Sequence, residues 1–263
     1  MRRVGCTAFA VLCVAAATAL AGRPLTIDDA DPVEPGLYEL ELGAGYVGDA
    51  DCDHWDFPIG LGRGLVPGVE AGIGFGGQLE ERTEILDDGT DCSVDEEGLG
   101  DLVVAAKWQI IKKCPLGARH AIVPSVKFPT ADDDEGLGSG ETDYDLTWVV
   151  SRAIGEKAGA HLNGGYSWIG GPDEDVIHYG LALDYRLAEA LQWVGEVFAE
   201  DLADGEGDTA VLYNIGFRWS VNENLIVDVA GGSKLNGEEP DFFATAGLTW
   251  YFGTEQVPGQ ENN

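Results

Sequence analysis

Tyr38-Glu39-Leu40-Glu41-Leu42-Gly43-Ala44-Gly45-Tyr46 alternates without a break. Tyr38, Leu40, Leu42, Ala44 and Tyr46 fall on one face and Glu39, Glu41, Gly43 and Gly45 on the other, the period of a β-strand wet on one side. Trp55, Phe57, Ile59 and Leu61 oppose Asp56, Pro58, Gly60 and Gly62 in the same way, and Ala71, Ile73 and Phe75 oppose Glu70, Gly72, Gly74 and Gly76. Further on, Leu102, Val104, Ala106, Trp108 and Ile110 stand against Asp101, Ala105, Lys107 and Gln109, and Tyr179, Leu181, Leu183 and Tyr185 against His178, Gly180, Ala182 and Asp184. Twelve such segments begin near Leu37, Trp55, Val69, Gly100, Ala121, Tyr144, Ala158, Val176, Leu191, Ala210, Leu225 and Phe242.

Composition narrows what these strands can build. The 263 residues carry 15 Lys and Arg against 47 Asp and Glu, a formal charge of -32, so no basic face is available for nucleic acid. Seven Trp, eight Tyr and nine Phe supply more apolar surface than a chain kept unfolded by its charge carries. Arg2 and Arg3 precede an apolar stretch from Val4 to Leu20 that ends in the small-x-small pattern Ala19-Leu20-Ala21. This predicts a cleaved signal peptide over residues 1–21 with the mature start at Gly22. Residues 22–36 are expected to form a periplasmic N-terminal segment, 37–252 the strands, and 253–263 a flexible tail. Beyond the signal no run of about 18 apolar residues occurs, so no helix is expected to span a bilayer.

Alternation alone does not separate a soluble β-sandwich from a membrane barrel. Aromatic placement and loop charge do. In an up-and-down path from the periplasm, Tyr38, Trp108, Tyr185, Trp193, Trp219, Trp250 and Phe252 fall near the lower rim. Tyr46, Trp55, Phe75, Tyr144, Tyr166 and Trp168 fall near the upper one, with Trp148 deeper. Two such girdles are what a bilayer interface selects. The outer loops, such as Glu80 to Glu97, Thr130 to Thr142 and Asp201 to Asp208, are crowded with Asp and Glu and opposed by only Arg82 and Lys234. The opposite turns are short and carry Arg63, Lys112, Lys113, Arg152 and Lys157. The expected fold is therefore all-β: a transmembrane antiparallel up-and-down β-barrel of about twelve strands in an outer membrane. Leu248, Trp250 and Phe252 resemble the strand end read by the barrel-assembly machinery, the expected partner during biogenesis.

Function is sought on the inward positions. Glu39, Glu41, Asp56, Glu70, Asp101, Asp145, Asp184, Glu196, Glu200 and Asp228 face Lys107, Lys127, Arg186 and Arg218, with His161 and His178 among them. The acids outnumber the bases, so the lumen holds water or cations or keeps some carboxylates protonated; the other reading is a packed, hydrogen-bonded plug without a pore. Inward Gly43, Gly45, Gly72, Gly74, Gly76, Gly165, Gly180 and Gly216 leave space for a solute or let the sheet bend. No G-x-S-x-G motif and no His pair at metal spacing occur, so no enzyme and no cofactor or metal is expected. Asp87-Asp88-Gly89-Thr90-Asp91 and Asp132-Asp133-Asp134-Glu135-Gly136 lack the full ligand spacing of a calcium loop and read as solvated acidic loops. Cys52 and Cys92, in consecutive loops on one side, are expected to form a disulfide in an oxidising compartment, and Cys114 on the opposite rim to stay free.

The sequence also resembles a known family. Arg23-Pro24-Leu25-Thr26-Ile27-Asp28-Asp29-Ala30 leading to Pro35-Gly36, Gly98-Leu99-Gly100-Asp101-Leu102 with Ala106-Lys107-Trp108, and Lys127-Phe128-Pro129-Thr130-Ala131-Asp132 carry the likeness. Gly136-Leu137-Gly138-Ser139-Gly140-Glu141-Thr142-Asp143-Tyr144 and Asn163-Gly164-Gly165-Tyr166 extend it. These stretches are similar to the outer-membrane β-barrel family named for the MetA pathway of phenol degradation. The resemblance implies a barrel and uptake of aromatic or other small organic solutes. The acidic loop around Cys92 departs from that pattern. Outer-membrane lipid and a small solute are then the expected partners, and a structural barrel with a plugged lumen is the alternative.

The reading predicts a protein that fractionates with the outer membrane, needs detergent for extraction, and migrates faster on gels unboiled than boiled. Recovery of the folded protein without detergent would contradict it.

Overall fold

The computed structural model describes residues 22–48, 52–85, 91–135, 137–205, 207–237 and 240–254. Its strands are β1 (Leu37–Gly48), β2 (Cys52–Val66), β3 (Val69–Ile85), β4 (Asp91–Leu99), β5 (Leu102–Ile111), β6 (Arg119–Phe128) and β7 (Asp143–Ile154). They continue as β8 (Ala158–Trp168), β9 (Val176–Arg186), β10 (Leu191–Leu202), β11 (Ala210–Asn222), β12 (Leu225–Asn236) and β13 (Phe242–Gly253). Sequential neighbours other than β4 and β5 pair antiparallel, and β13 closes on β1 with Leu37 opposite Gly253 and Gly48 opposite Phe242. β3 pairs β5 along Val69 to Gly74 and β4 along Gly77 to Ile85, so β4 and β5 occupy one position of the wall in turn. The closed wall therefore has twelve positions, as the alternation predicted.

The stretch from Glu80 to Glu97, expected as loop, is in part ladder: Leu79 pairs Glu97, Glu81 pairs Asp95 and Ile85 pairs Asp91. Most of these residues are polar at odd and even positions alike. The cue of one apolar face, imposed by lipid, is absent there. Two prolines stand inside strands. Pro58 and Pro124 lack a donor, and the β1–β2 register skips Gly43 and Ala44 while the β5–β6 register skips Ala106 and Lys107.

The apolar face points outward over the whole circumference. Trp55, Phe57, Trp108, Tyr144, Trp148, Leu181, Phe217, Trp219 and Trp250 are all exposed, an arrangement that only lipid makes favourable for so many large side chains. Girdle residues meet in cross-strand pairs: Tyr38 stacks on Phe252 at 5.2 Å and packs under Arg63 at 4.9 Å, and Tyr46 meets Trp55 at 4.9 Å. At the upper rim Tyr46 donates to Asp53, Tyr166 to Asp175 and Tyr179 to Asp201. Each phenol thus keeps its ring in the apolar band and its hydroxyl on an acid at a strand end or loop.

Two expectations are corrected. Residues 22–35 are not a periplasmic segment: they enter the barrel beside Gly64, with Pro35 bridged to that residue, and run inside it. The reason is that the inward carboxylates need donors, and this segment brings them. The side chains of Cys52 and Cys92 lie outside the described residues, but the backbone register puts β3 between them. Cys52 stands opposite Arg82 and Cys92 opposite Glu84. Two strand spacings are about 10 Å, more than the roughly 7 Å between Cα atoms that a disulfide spans. Cys114, in the β5–β6 turn, is unbonded. Residues 1–21 and 255–263, the bulk of the expected signal and tail, and Asp87 to Thr90 lie outside the described residues.

Thiol titration of the denatured mature protein should count three free cysteines. A count of one would restore the Cys52–Cys92 bond and require a shifted β3–β4 register.

Candidate functional site

Inside the wall, residues 22–35 form an extended coil that makes one circuit of the lumen and touches each wall position in turn. Arg23 lies against β1, β11, β12 and β13: its N–H donates to Glu41 at 3.2 Å and its guanidinium to Thr245 at 2.7 Å and Asp228 at 3.4 Å. Arg218 of β11 donates to the carbonyls of Arg23 and Gly22 at 2.5 and 2.6 Å, and Asn214 to that of Pro24 at 2.9 Å. The N–H groups of Thr26 and Ile27 both donate to Glu196 of β10, at 2.9 and 2.8 Å. Ile27 packs on Gly180 of β9. Asp28 pairs with Lys107 of β5 at 2.8 Å, both side chains buried. Asn163 of β8, with its amide turned to suit, accepts from Asp28 N at 2.7 Å and donates to Asp28 O at 3.0 Å. Ala30 N–H donates to Ser151 of β7 at 2.9 Å and its carbonyl accepts from Gln109 of β5 at 2.9 Å. Asp31 pairs with Arg119 of β6 at 2.6 Å, and Val33 N–H donates to Glu70 of β3 at 2.7 Å.

The coil also brings the lumen its apolar core. Leu25 and Ile27 are buried with Ala182, Val194, Phe198 and Leu212, and Ala30 is buried with Ala121 and Val149. The inward glycines have a use that the sequence reading did not contain. They are neither open space nor only bends, because Gly43, Gly180 and Gly247 lie under coil side chains. Gly64 lies under the coil's own backbone: a Cβ there would collide with the carbonyls of Val33 and Glu34.

Above the coil the lumen holds two further groups. Asp145 accepts from Thr147 at 2.7 Å and Ser167 at 2.8 Å and lies 2.7 Å from His178 Nε2. Lys127 bridges Asp143 and Asp101 and meets Ser139, while Asp101 accepts from the N–H groups of Thr130 and Ala131, each at 2.9 Å. The β6–β7 loop then lays Leu137 on Gly98 of β4. The described residues between Lys127 and Tyr144 thus form a clasp at the mouth. Within its acidic run, Asp132 accepts from Asp134 N–H at 3.2 Å.

Of the sequence-predicted lining residues, Glu41, Glu70, Lys107, Glu196, Arg218 and Asp228 hold the coil, as described above. Asp101, Asp145 and His178 belong to the upper groups, and Asp56 folds over Gly45. Glu39 faces inward one row below Glu41, Glu200 is buried above Phe198, and Arg186 is exposed at the lower end of β9. His161 and Asp184 form a chain with Ser151: His161 Nδ1 lies 2.8 Å from Ser151 Oγ and Nε2 lies 2.9 Å from Asp184, which also accepts from Gln192 at 2.6 Å. These are the residue types of a nucleophile, base and orienting acid. Ser151 is, however, fully buried, and its Oγ already accepts the Ala30 N–H, so the chain orients a coil anchor. Among the described residues no cluster of three or more metal-ligating side chains occurs.

The profile of the family described as "Putative MetA-pathway of phenol degradation" matches residues 41–252. Among solved structures the fold is similar to an outer membrane channel from Pseudomonas putida F1, at TM-score 0.63 and 14% identity over 85% of this chain and 98% of that one. It is similar to the CymD monoaromatic hydrocarbon channel, at TM-score 0.51 and 10% identity over 85% of this chain and 90% of that one. The β domain of the Bordetella autotransporter BrkA is also alike, at TM-score 0.53 and 14% identity over 84% of this chain and all of that one. At such identities the likeness is one of fold. No curated protein matches the chain.

Breaking a buried ion pair by removing one partner typically costs about 3–5 kcal/mol, because the other charge is stranded. Asp28→Ala and Lys107→Ala should therefore each lower the unfolding midpoint, and the double variant should lose clearly less than the sum. Additive losses in denaturant titrations would show that the pair does not couple coil to wall.

Proposed function

The chain belongs to the family described as "Putative MetA-pathway of phenol degradation", and on that premise we propose that it is a narrow outer-membrane channel for small organic solutes or cations, its passage limited by the N-terminal coil. The observation that carries this reading is a polar, carboxylate-rich lumen inside an apolar shell, a contrast that a barrel serving only as a membrane anchor does not need. The acidic outer loops, with inward acids outnumbering inward bases, favour cations and neutral molecules over anions. Twelve wall positions enclose less than the 16 to 18 strands of open porins, so the passage is narrow. Barrels of similar fold that are channels, including one for monoaromatic hydrocarbons, support a solute of that size.

A second reading has its own support. The coil touches the wall on all sides, and a barrel so filled is a structural element without transport. An enzyme has less in its favour, since Ser151 lies in the lumen under the coil rather than toward lipid or solvent. The place of action under either main reading is the outer membrane of a Gram-negative-type cell, reached through a signal peptide cleaved before Gly22.

Planar-bilayer recordings separate the two. The mature protein should give small conductance steps whose reversal potential in a KCl gradient indicates cation preference, and removal of residues 22–33 should enlarge the steps several-fold. Anion selectivity would overturn the charge argument. Silence in both proteins would leave the structural barrel as the account.

A further inference from the structure

Gly43 of β1 and Gly247 of β13 are direct cross-strand partners, and the Arg23 guanidinium lies on the pair. A Cβ on Gly43 would collide with Nη1 and Cζ of Arg23 and with Pro58 Cγ, and one on Gly247 with Nε and Cζ of Arg23 and with the Leu42 carbonyl, so strand pairing and the guanidinium both require glycine here. The two glycines therefore make a flat floor with the footprint of a guanidinium plane. Its walls are Asp228, whose side chain is 1% exposed, and Thr245, whose Oγ1 accepts from Nη2 at 2.7 Å. Glu41 stands at the entrance, holding the Arg23 N–H.

The fit of Arg23 to this slot is incomplete. A guanidinium and a carboxylate pair best as a fork, through two parallel bonds of about 2.7–2.9 Å. Here the contact to Asp228 is a single one at 3.4 Å, and both Asp228 Oδ2 and Arg23 Nε are buried without a hydrogen-bond partner. Arg23 is fixed on its main-chain side by Glu41 and Arg218, which hold its N–H and carbonyl. The tether thus denies it the fork. A free guanidinium has no tether and can turn its edge to both oxygens of Asp228. Arg23 prevails through its high effective concentration rather than through its geometry.

We propose that the Gly43–Gly247 slot with Asp228 and Thr245 is a binding site for small guanidinium-type cations, occupied in the resting barrel by the protein's own Arg23. The site deepens the channel reading by naming one class of solute, planar organic cations, and the coil is then a tethered competitor for it. A cation that enters from the lumen displaces the Arg23 side chain, whose pairing with Asp228 is incomplete. Glycine is required at both floor positions, and any side chain there closes the site to guest and tether alike.

The test is calorimetric titration of methylguanidinium into the detergent-purified mature protein, which needs no conduction. Arg23→Ala should bind one equivalent saturably in the millimolar range, at least tenfold more tightly than the wild type. Adding Gly247→Ala or Asp228→Asn to Arg23→Ala should abolish it, and tetramethylammonium, which lacks planar N–H donors, should neither bind nor compete. Faster migration of unboiled samples checks that each variant is a closed barrel. If Arg23→Ala fails that check, Arg23→Lys, which removes the guanidinium plane, is used in its place. No saturable binding, or binding that survives Gly247→Ala, overturns the proposal. Binding to a barrel that conducts nothing would overturn the channel reading and leave this site standing.

Discussion

A barrel wall sheathed in lipid has no water outside it, so every carboxylate on its inner face must find a donor within the lumen. This chain places Glu41, Glu70, Glu196 and Asp228 there and supplies few wall cations to meet them. The rest of the structure depends on how that need is met: main-chain N–H groups of residues 23, 26, 27 and 33, together with the Arg23 guanidinium, are laid against the acids by a coil that circles the bore. Hydrogen bonds to a charged partner contribute about 1.5–3 kcal/mol each, and a stranded buried charge costs more, so coil and wall stabilise each other. The burial of Leu25, Ile27 and Ala30 against the wall adds an apolar term of the same sign.

The wall was legible in the sequence because lipid imposes the simplest of patterns. Outside the β3–β4 extension, the strands from Leu37 to Phe252 show their apolar side with period two, and the phase can be read residue by residue, as at Trp108 outward and Lys107 inward. Where the imposing solvent is missing the pattern fails, and the β3–β4 extension, polar on both faces, reads as loop. The coil was illegible for a different reason. Arg23 to Pro35 has no periodicity, and its partners lie up to 222 residues away, as Thr245 is from Arg23. One signal could have found it: ten inward acids against four inward bases require donors from elsewhere, and the segment just upstream of the first strand was the available source. The inward glycines carried the same message in steric form, since Gly43, Gly64, Gly180 and Gly247 are small where the coil passes.

For function, the coil turns a question about pore size into one about exchange. A bore of twelve strands is narrow before anything enters it, and the circuit of residues 22–35 occupies its middle. Under the proposed channel reading, passage depends on which contacts yield. The apolar anchor around Ile27 and Phe198 and the buried Asp28–Lys107 pair hold one side of the circuit firmly, whereas on the other side the Arg23 guanidinium meets Asp228 through one contact at 3.4 Å. The mouth is shaped separately, by the Lys127–Asp101–Asp143 clasp and the loop that carries Leu137, so on the same reading entry and passage are set by different residues.

The central claim is that residues 22–35 reside in the lumen as a hydrogen-bonded part of the barrel, and amide hydrogen exchange of the mature protein in lipid nanodiscs tests it most directly. The N–H groups of Thr26, Ile27, Ala30 and Val33 should exchange as slowly as those of the strands they touch, by several orders of magnitude relative to an open chain. Exchange at the rate of an unstructured segment would place the coil outside the barrel and contradict the account.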